Sequence, residues 1–224
     1  SEWVRCRSMF DTWLTSNNIP LLCIPGNHDQ GDNPGQTQLY EQYIGSAAVW
    51  ETSTASFTGQ NGKSRNTGWS GLRIIGFNSS QGDYNVITAS DIALIQSPVW
   101  AAAAPCENIF LLTHHPHDGS GRMPLASVLT QPAIVCYMRG HSGNPRAQLG
   151  LSGVNNPNVW DLNTNAIVYD RDLIYYEVFQ NQLKAYVIQL NDNPSSLPSP
   201  KTIPPSAPAC GRGPSDVAAP AAGS

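Results

Sequence analysis

"NIFLLTHHPHD", residues 108–118, is a short apolar run that stops abruptly in three histidines and a proline. An apolar run of this length bounded by polar residues reads as a buried strand, and Pro116 belongs to the loop that follows. Two other stretches share this grammar. "IPLLCIPGNHD", residues 19–29, is strand-like up to Pro25-Gly26 and ends in Gly-Asn-His-Asp. "AIVCYMRGHSG", residues 133–143, is strand-like up to Arg139 and ends in a Gly-His pair. All five histidines of the chain (28, 114, 115, 117 and 141) therefore lie at or just beyond strand ends. A single loop histidine is ordinarily solvated surface. Five of five at strand ends, with none in a helix or the tail, point instead to the edge where open α/β sheets place their chemistry. Imidazoles converging with a carboxamide suit zinc, manganese or iron.

The rest of the chain supplies the frame. Trp3, Cys6, Phe10, Trp13 and Leu14 recur at helical spacing over residues 2–16, and "NNIP" ends that helix. "QTQLYEQYI" is a short helix. "TASFT" and "GLRIIGFNSS" read as strands joined by a polar Gly/Asn loop. Thr88 with Asp91 opens a further helix, which Pro98 kinks or breaks. "DLIYYEVF" and "QLKAYVIQL" alternate around "QN" and predict a hairpin. Strands alternating with helices predict an α/β fold, and the antiparallel pieces predict mixed sheets. Residues 1–190 read as one folded unit and 191–224, rich in Pro, Ser, Ala and Gly, as an extended tail or linker. Trp3, Trp13, Tyr40, Tyr43, Phe110 and Tyr186 are expected mostly in the core, and His117 on a loop surface.

Composition narrows the class. With 224 residues the chain can bury a sizeable core. Its net charge of -4 argues against a nucleic-acid surface. No run is long and apolar enough to span a membrane. Charged residues make up 12%, about half the usual share, and Asn, Ser, Thr and Gly take their place. That style predicts a secreted or cell-surface protein. Of five cysteines, Cys23 and Cys136 sit in apolar runs and read as buried thiols. One bridge among Cys6, Cys106 and Cys210 is open, and no CxxC suggests a cysteine zinc site.

On three stretches the sequence resembles the calcineurin-like metallophosphoesterases. "PGNHD" is similar to that family's GNH[DE] motif, "LLTHHP" to its later strand-histidine motif and "RGHSGNP" to its closing GHxH motif, in the family's order. The resemblance implies a four-layer α-β-β-α sandwich of two mixed sheets and metal-dependent hydrolysis of phosphoric esters at a pair of divalent ions. It implies Asn27, His114 and His141 as ligands of one ion and His28 as the residue that binds the phosphate and protonates the leaving alkoxide. Asp29 would orient His28 from behind; as a bare loop residue it would equally form an Asx turn. His115 and Arg139 are candidates for the substrate cleft, Arg139 reading otherwise as a strand-end surface charge.

Two departures from the family pattern stand out. The earlier DxH and GDxxD motifs do not precede GNHD, so the fold is expected without its first strands. A missing N-terminal segment or self-association is then expected to complete the sheet. GHxH reads Gly140-His141-Ser142-Gly143, and a glycine offers no side-chain ligand. Ligands are thus expected mainly for one ion, with weak activity of this chain alone. Two other readings stay open: a non-catalytic extracellular scaffold that keeps the fold, and a one-metal binding module.

Overall fold

The computed structural model describes residues 2–17, 19, 21–29, 36–44, 62–66, 72–79, 108–117, 123–131, 134–141, 146–164, 172–178, 183–189 and 201–203. Six strands form one sheet: β1 (Gly62–Asn66), β2 (Leu72–Phe77), β3 (Asn108–Leu112), β4 (Ile134–Arg139), β5 (Arg146–Leu149) and β6 (Trp160–Asn163), in the order β1-β2-β3-β4-β6-β5. The inner four run parallel, and β1 and β5 are antiparallel edges. A second sheet holds β7 (Asp172–Val178), β8 (Leu183–Gln189) and β9 (Lys201–Ile203), all antiparallel. The fold is thus α/β with a mixed main sheet. The second sheet, expected to be mixed as well, is antiparallel in its described strands.

Period-2 alternation sorts the main sheet's side chains onto two faces. Ile75, Phe77, Leu111 and Tyr137 face helix α3 (Met123–Leu129), whose Leu125, Val128 and Leu129 are fully buried at helical spacing. Leu72, Phe110, Cys136, Trp160 and Leu162 face the small sheet, meeting Ile174, Tyr176 and Ala185. Phe110 packs edge-on against Tyr176 with ring centroids 6.0 Å apart. Among the described residues these make three layers: helix, sheet, sheet. The alternation breaks once. Ile109 pairs with Ile134 but Phe110 with Cys136, so Val135 is an extra residue. That bulge lets Ile134 and Tyr137 reach the same face despite their odd spacing.

Helix α1 (Glu2–Ser16) meets α2 (Gln36–Tyr43) through Arg7, which donates to the Tyr43 carbonyl at 2.8 Å. Tyr40 and Ile44 bury against Cys23 and Ile24.

Several expectations change. Trp13 is 61% exposed rather than core, because the described inner positions of α1 are Arg7, Asp11 and Leu14. Residues 21–26 form no strand, since a strand exists only through a ladder and none is described for them. β1 lies in the stretch read as a polar loop; "GKSRN" is polar as edge strands commonly are. Lys201–Ile203, read as tail, adds a strand to β8. Neither Cys23 nor Cys136 is in a disulfide, as expected; Cys136 is buried, whereas Cys23 is half-buried. The helix after Thr88, the strand "TASFT", Gly143 and a bridge involving Cys106 or Cys210 lie outside the described residues, as does the Cys6 side chain.

Candidate functional site

The parallel strands deliver their carboxyl ends to one edge of the sheet. After β2 come Asn78 and Ser79, after β3 Thr113, His114 and His115, and after β4 Gly140 and His141. Backbone hydrogen bonds join these ends: Thr113 N–H donates to the Met138 carbonyl at 2.8 Å and Gly140 N–H to the His114 carbonyl at 3.1 Å. The 3-10 turn Asn27–Asp29 stands across from them.

His114 is the centre of the arrangement. Its Nε2 lies 2.9 Å from Asn27 Oδ1 and 3.3 Å from His141 Nδ1. The ring fits between two glycines. A Cβ on Gly26 would stand 3.0 Å from its Cε1, and one on Gly140 would stand 3.5 Å from its Nδ1. Burial lowers its pKa to about 4, helped by the neighbouring charges of His141 and His28. His114 is therefore neutral at neutral pH, with a nitrogen lone pair to offer. His141 is exposed and takes φ 67°, a left-handed conformation uncommon for a non-glycine residue.

His115 is 1% exposed, and its ring lies 4.7 Å from that of His114 and 4.4 Å from that of His141. One nitrogen from each of these three histidines falls within 4.8 Å of the others. Ser79 Oγ sits 3.0 Å from His115 Nδ1 and accepts the amide N–H groups of His114 and His115 at 3.2 and 3.1 Å. Tyr137 braces the same turn, donating its hydroxyl to the His115 carbonyl at 2.6 Å.

His28 is exposed and within electrostatic reach of His114. The Asp29 carboxylate accepts the Gly26 amide at 2.8 Å while its own amide donates back to the Gly26 carbonyl, closing the loop that carries Asn27. Burial raises the Asp29 pKa against the opposing pull of that amide and of His28.

Two side chains sit elsewhere than the sequence reading placed them. Arg139 borders an open, mainly apolar cleft of roughly 260 Å³ beside His114. Its guanidinium, however, is buried in a bidentate pair with Asp161 (2.8 and 3.1 Å) and reaches Asn163. It is not a surface charge, while it stays among the residues that line the cleft. His117 is 5% exposed rather than loop surface: Nε2 donates to the Ser152 carbonyl at 2.8 Å, a partner far along the chain. Ser79 has no signal in the sequence, since "FNSS" carries no chemistry of its own.

The sequence model of the calcineurin-like phosphoesterase family matches residues 4–145, a span that holds Asn27, His28, His114, His115 and His141. The chain belongs to that family. No individual curated protein matches it. Calcineurin-like phosphoesterases use divalent metals and hydrolyse phosphoric esters, and the histidine cluster at the carboxyl edge is able to hold a metal ion.

The donor geometry fits such an ion. Two donors about 2.0–2.1 Å from a metal, at tetrahedral or right angles, are about 2.8–3.4 Å apart. The separations at His114 Nε2 are 2.9 and 3.3 Å.

Proposed function

We propose that this chain binds a divalent metal ion through Asn27 Oδ1, His114 Nε2 and His141 Nδ1, and that it acts there on phosphoric esters. The observation that carries the reading is the convergence of those three donor atoms, with the His114 ring seated against Gly26. Imidazole and carboxamide donors favour zinc, iron or manganese over magnesium or calcium. When bound, such an ion supplies positive charge for the phosphoryl oxygens and a water of lowered pKa.

The chain's own residues do the rest. Asn27 and His114 would hold the ion at the sheet edge, where it would face the ester. His28, exposed on the 3-10 turn, gives a proton to the leaving alkoxide. Asp29 and Gly26 hold that turn shut so that Asn27 keeps its direction. The ligand set is neutral, and among the described residues no carboxylate joins the histidine cluster. Binding is accordingly weak and turnover slow, because no negative charge from that cluster helps retain a dication.

A second reading rests on Gly143, which stands where the family's closing histidine is expected. On it the chain keeps the fold as a non-catalytic subunit. Hydrolysis of a chromogenic phosphate monoester and diester separates the two. With zinc or manganese added, the wild type should turn over the ester and His28→Ala should lose 10-fold or more in kcat with the metal still bound. No turnover by a metal-loaded wild type would leave the non-catalytic reading.

A further inference from the structure

The side-chain rows that build the core between the two sheets continue past it. Residues two apart on a strand share a face. Phe110, Cys136 and Trp160 face the small sheet, and the Phe110 ring meets that of Tyr176 at 6.0 Å. Two residues further along β3, β4 and β6 come Leu112, Met138 and Leu162. These three line the cleft of about 260 Å³, together with Ile174 and Tyr176 of β7. Just past the strand ends, His114, Gly140 and Thr164 line the same cleft. The core between the sheets thus opens into a cavity at the carboxyl edge. His114 belongs both to this cavity and to the donor set, with its Nε2 2.9 Å from Asn27 Oδ1.

The chemistry of the lining selects what fits there. Arg139 is its one Lys, Arg, Asp or Glu, and that guanidinium is held by the Asp161 carboxylate at 2.8 and 3.1 Å. The Thr113 hydroxyl is engaged with Tyr137 at 2.8 Å and the Thr164 hydroxyl with the Arg139 carbonyl at 3.4 Å. A polyol or a second phosphate entering such a cleft sheds water and finds few hydrogen bonds in return, which is costly. An apolar group sheds no hydrogen bonds and gains contact with Leu112, Met138 and Ile174. The volume lies just below the roughly 300–1,000 Å³ of pockets for drug-sized ligands, which suits one ring or two fused rings. We propose that this cleft receives the organic group of the phosphoric ester, and that the substrates are esters of apolar, ring-sized alcohols or phenols rather than of sugars, nucleosides or polyols. In the balanced reaction one water adds to phosphorus, the ester P–O bond breaks, and inorganic phosphate and the protonated alcohol or phenol leave.

This substrate class rests on the metal-binding reading above, so one arm of the test needs no metal. In that arm 2-naphthol is added to the metal-free wild type. The methyl resonances of Ile174, Met138 and Leu162 should shift together; shifts confined to methyls outside the cleft, such as those of Val4 and Leu149, overturn the proposal. In the second arm zinc-loaded wild type is titrated by calorimetry with two esterase-inert probes, methylphosphonate and 2-naphthylphosphonate. The naphthyl probe should bind at least 10-fold more tightly. Equal affinities would overturn the proposal, since the metal would then be reading the phosphonate alone. Ile174→Trp, which fills the cleft from β7, should shrink the ratio of the two affinities to about 3-fold or less; an unchanged ratio in the folded variant also overturns it. The wild-type arms decide the matter should that variant not fold. A wild type that binds no zinc yet shows the naphthol shifts would defeat the metal reading while upholding the cleft as an apolar ring site.

Discussion

The imidazole of His114 rests on the backbone of Gly26, close enough that a Cβ there would approach Cε1 to 3.0 Å and Nδ1 to 3.1 Å. Glycine at this position is a matter of space. Gly26→Ala should push the ring a few tenths of an ångström off Asn27 and lower zinc affinity about 10-fold, the scale on which misplaced ligands are felt. Thermal stability should change by no more than about 1 kcal/mol. Calorimetric titration of the folded variant checks this; wild-type zinc affinity would count against the seating of His114.

His141 is held at φ 67°, where an L-residue is strained by about 1 kcal/mol and glycine is not. His141→Gly should therefore stabilise the metal-free protein by about that amount while weakening metal binding. Chemical denaturation with and without zinc tests the pair of effects. Destabilisation of the metal-free variant would mean that His141 contributes packing worth more than its backbone strain.

Arg139 and Asp161 are a buried ion pair whose side chains are 3% and 2% exposed. Removing one partner strands a charge, so Arg139→Met or Asp161→Leu alone should cost about 3–5 kcal/mol. The double variant should recover much of this loss. A double variant no better than the worse single one, in a denaturant-unfolding cycle, would refute the coupling.

Acid should destabilise the metal-free protein through His114. Its pKa is lowered to about 4 in the fold by burial, against about 6.5 in an unfolded chain. Below about pH 6.5 the unfolded chain takes up the proton first, so stability is full above that pH and falls as pH drops toward 4. The loss attributable to this ring is about 2–3 kcal/mol. Chelator-treated wild type and His114→Gln, melted between pH 7.5 and 4.5, should differ in slope, the variant being flatter. Parallel curves would contradict the assignment.

The strands that carry the site were legible because they are buried on both faces and read as unbroken apolar runs: Leu111-Leu112 before His114, and Ile134 to Met138 before His141. The hairpin of β7 and β8 was legible from its alternation. β1 and β6 were not. β1 is a polar edge, and β6 hides its character by burying Asp161 and Asn163 against Arg139, a contact made across 22 and 24 residues. The same holds within the site. Asn27, His114 and His141 stand out as residue types at strand ends. Ser79 acquires its role solely from where β2 stops, and His117 is buried because a carbonyl 35 residues away accepts its proton.

The central claim is that Asn27, His114 and His141 form one metal site, and titration calorimetry with zinc tests it most directly. The wild type should bind, and His114→Ala and Asn27→Ala, each still folded, should weaken binding at least 10-fold. Wild-type zinc affinity in folded His114→Ala would contradict the account.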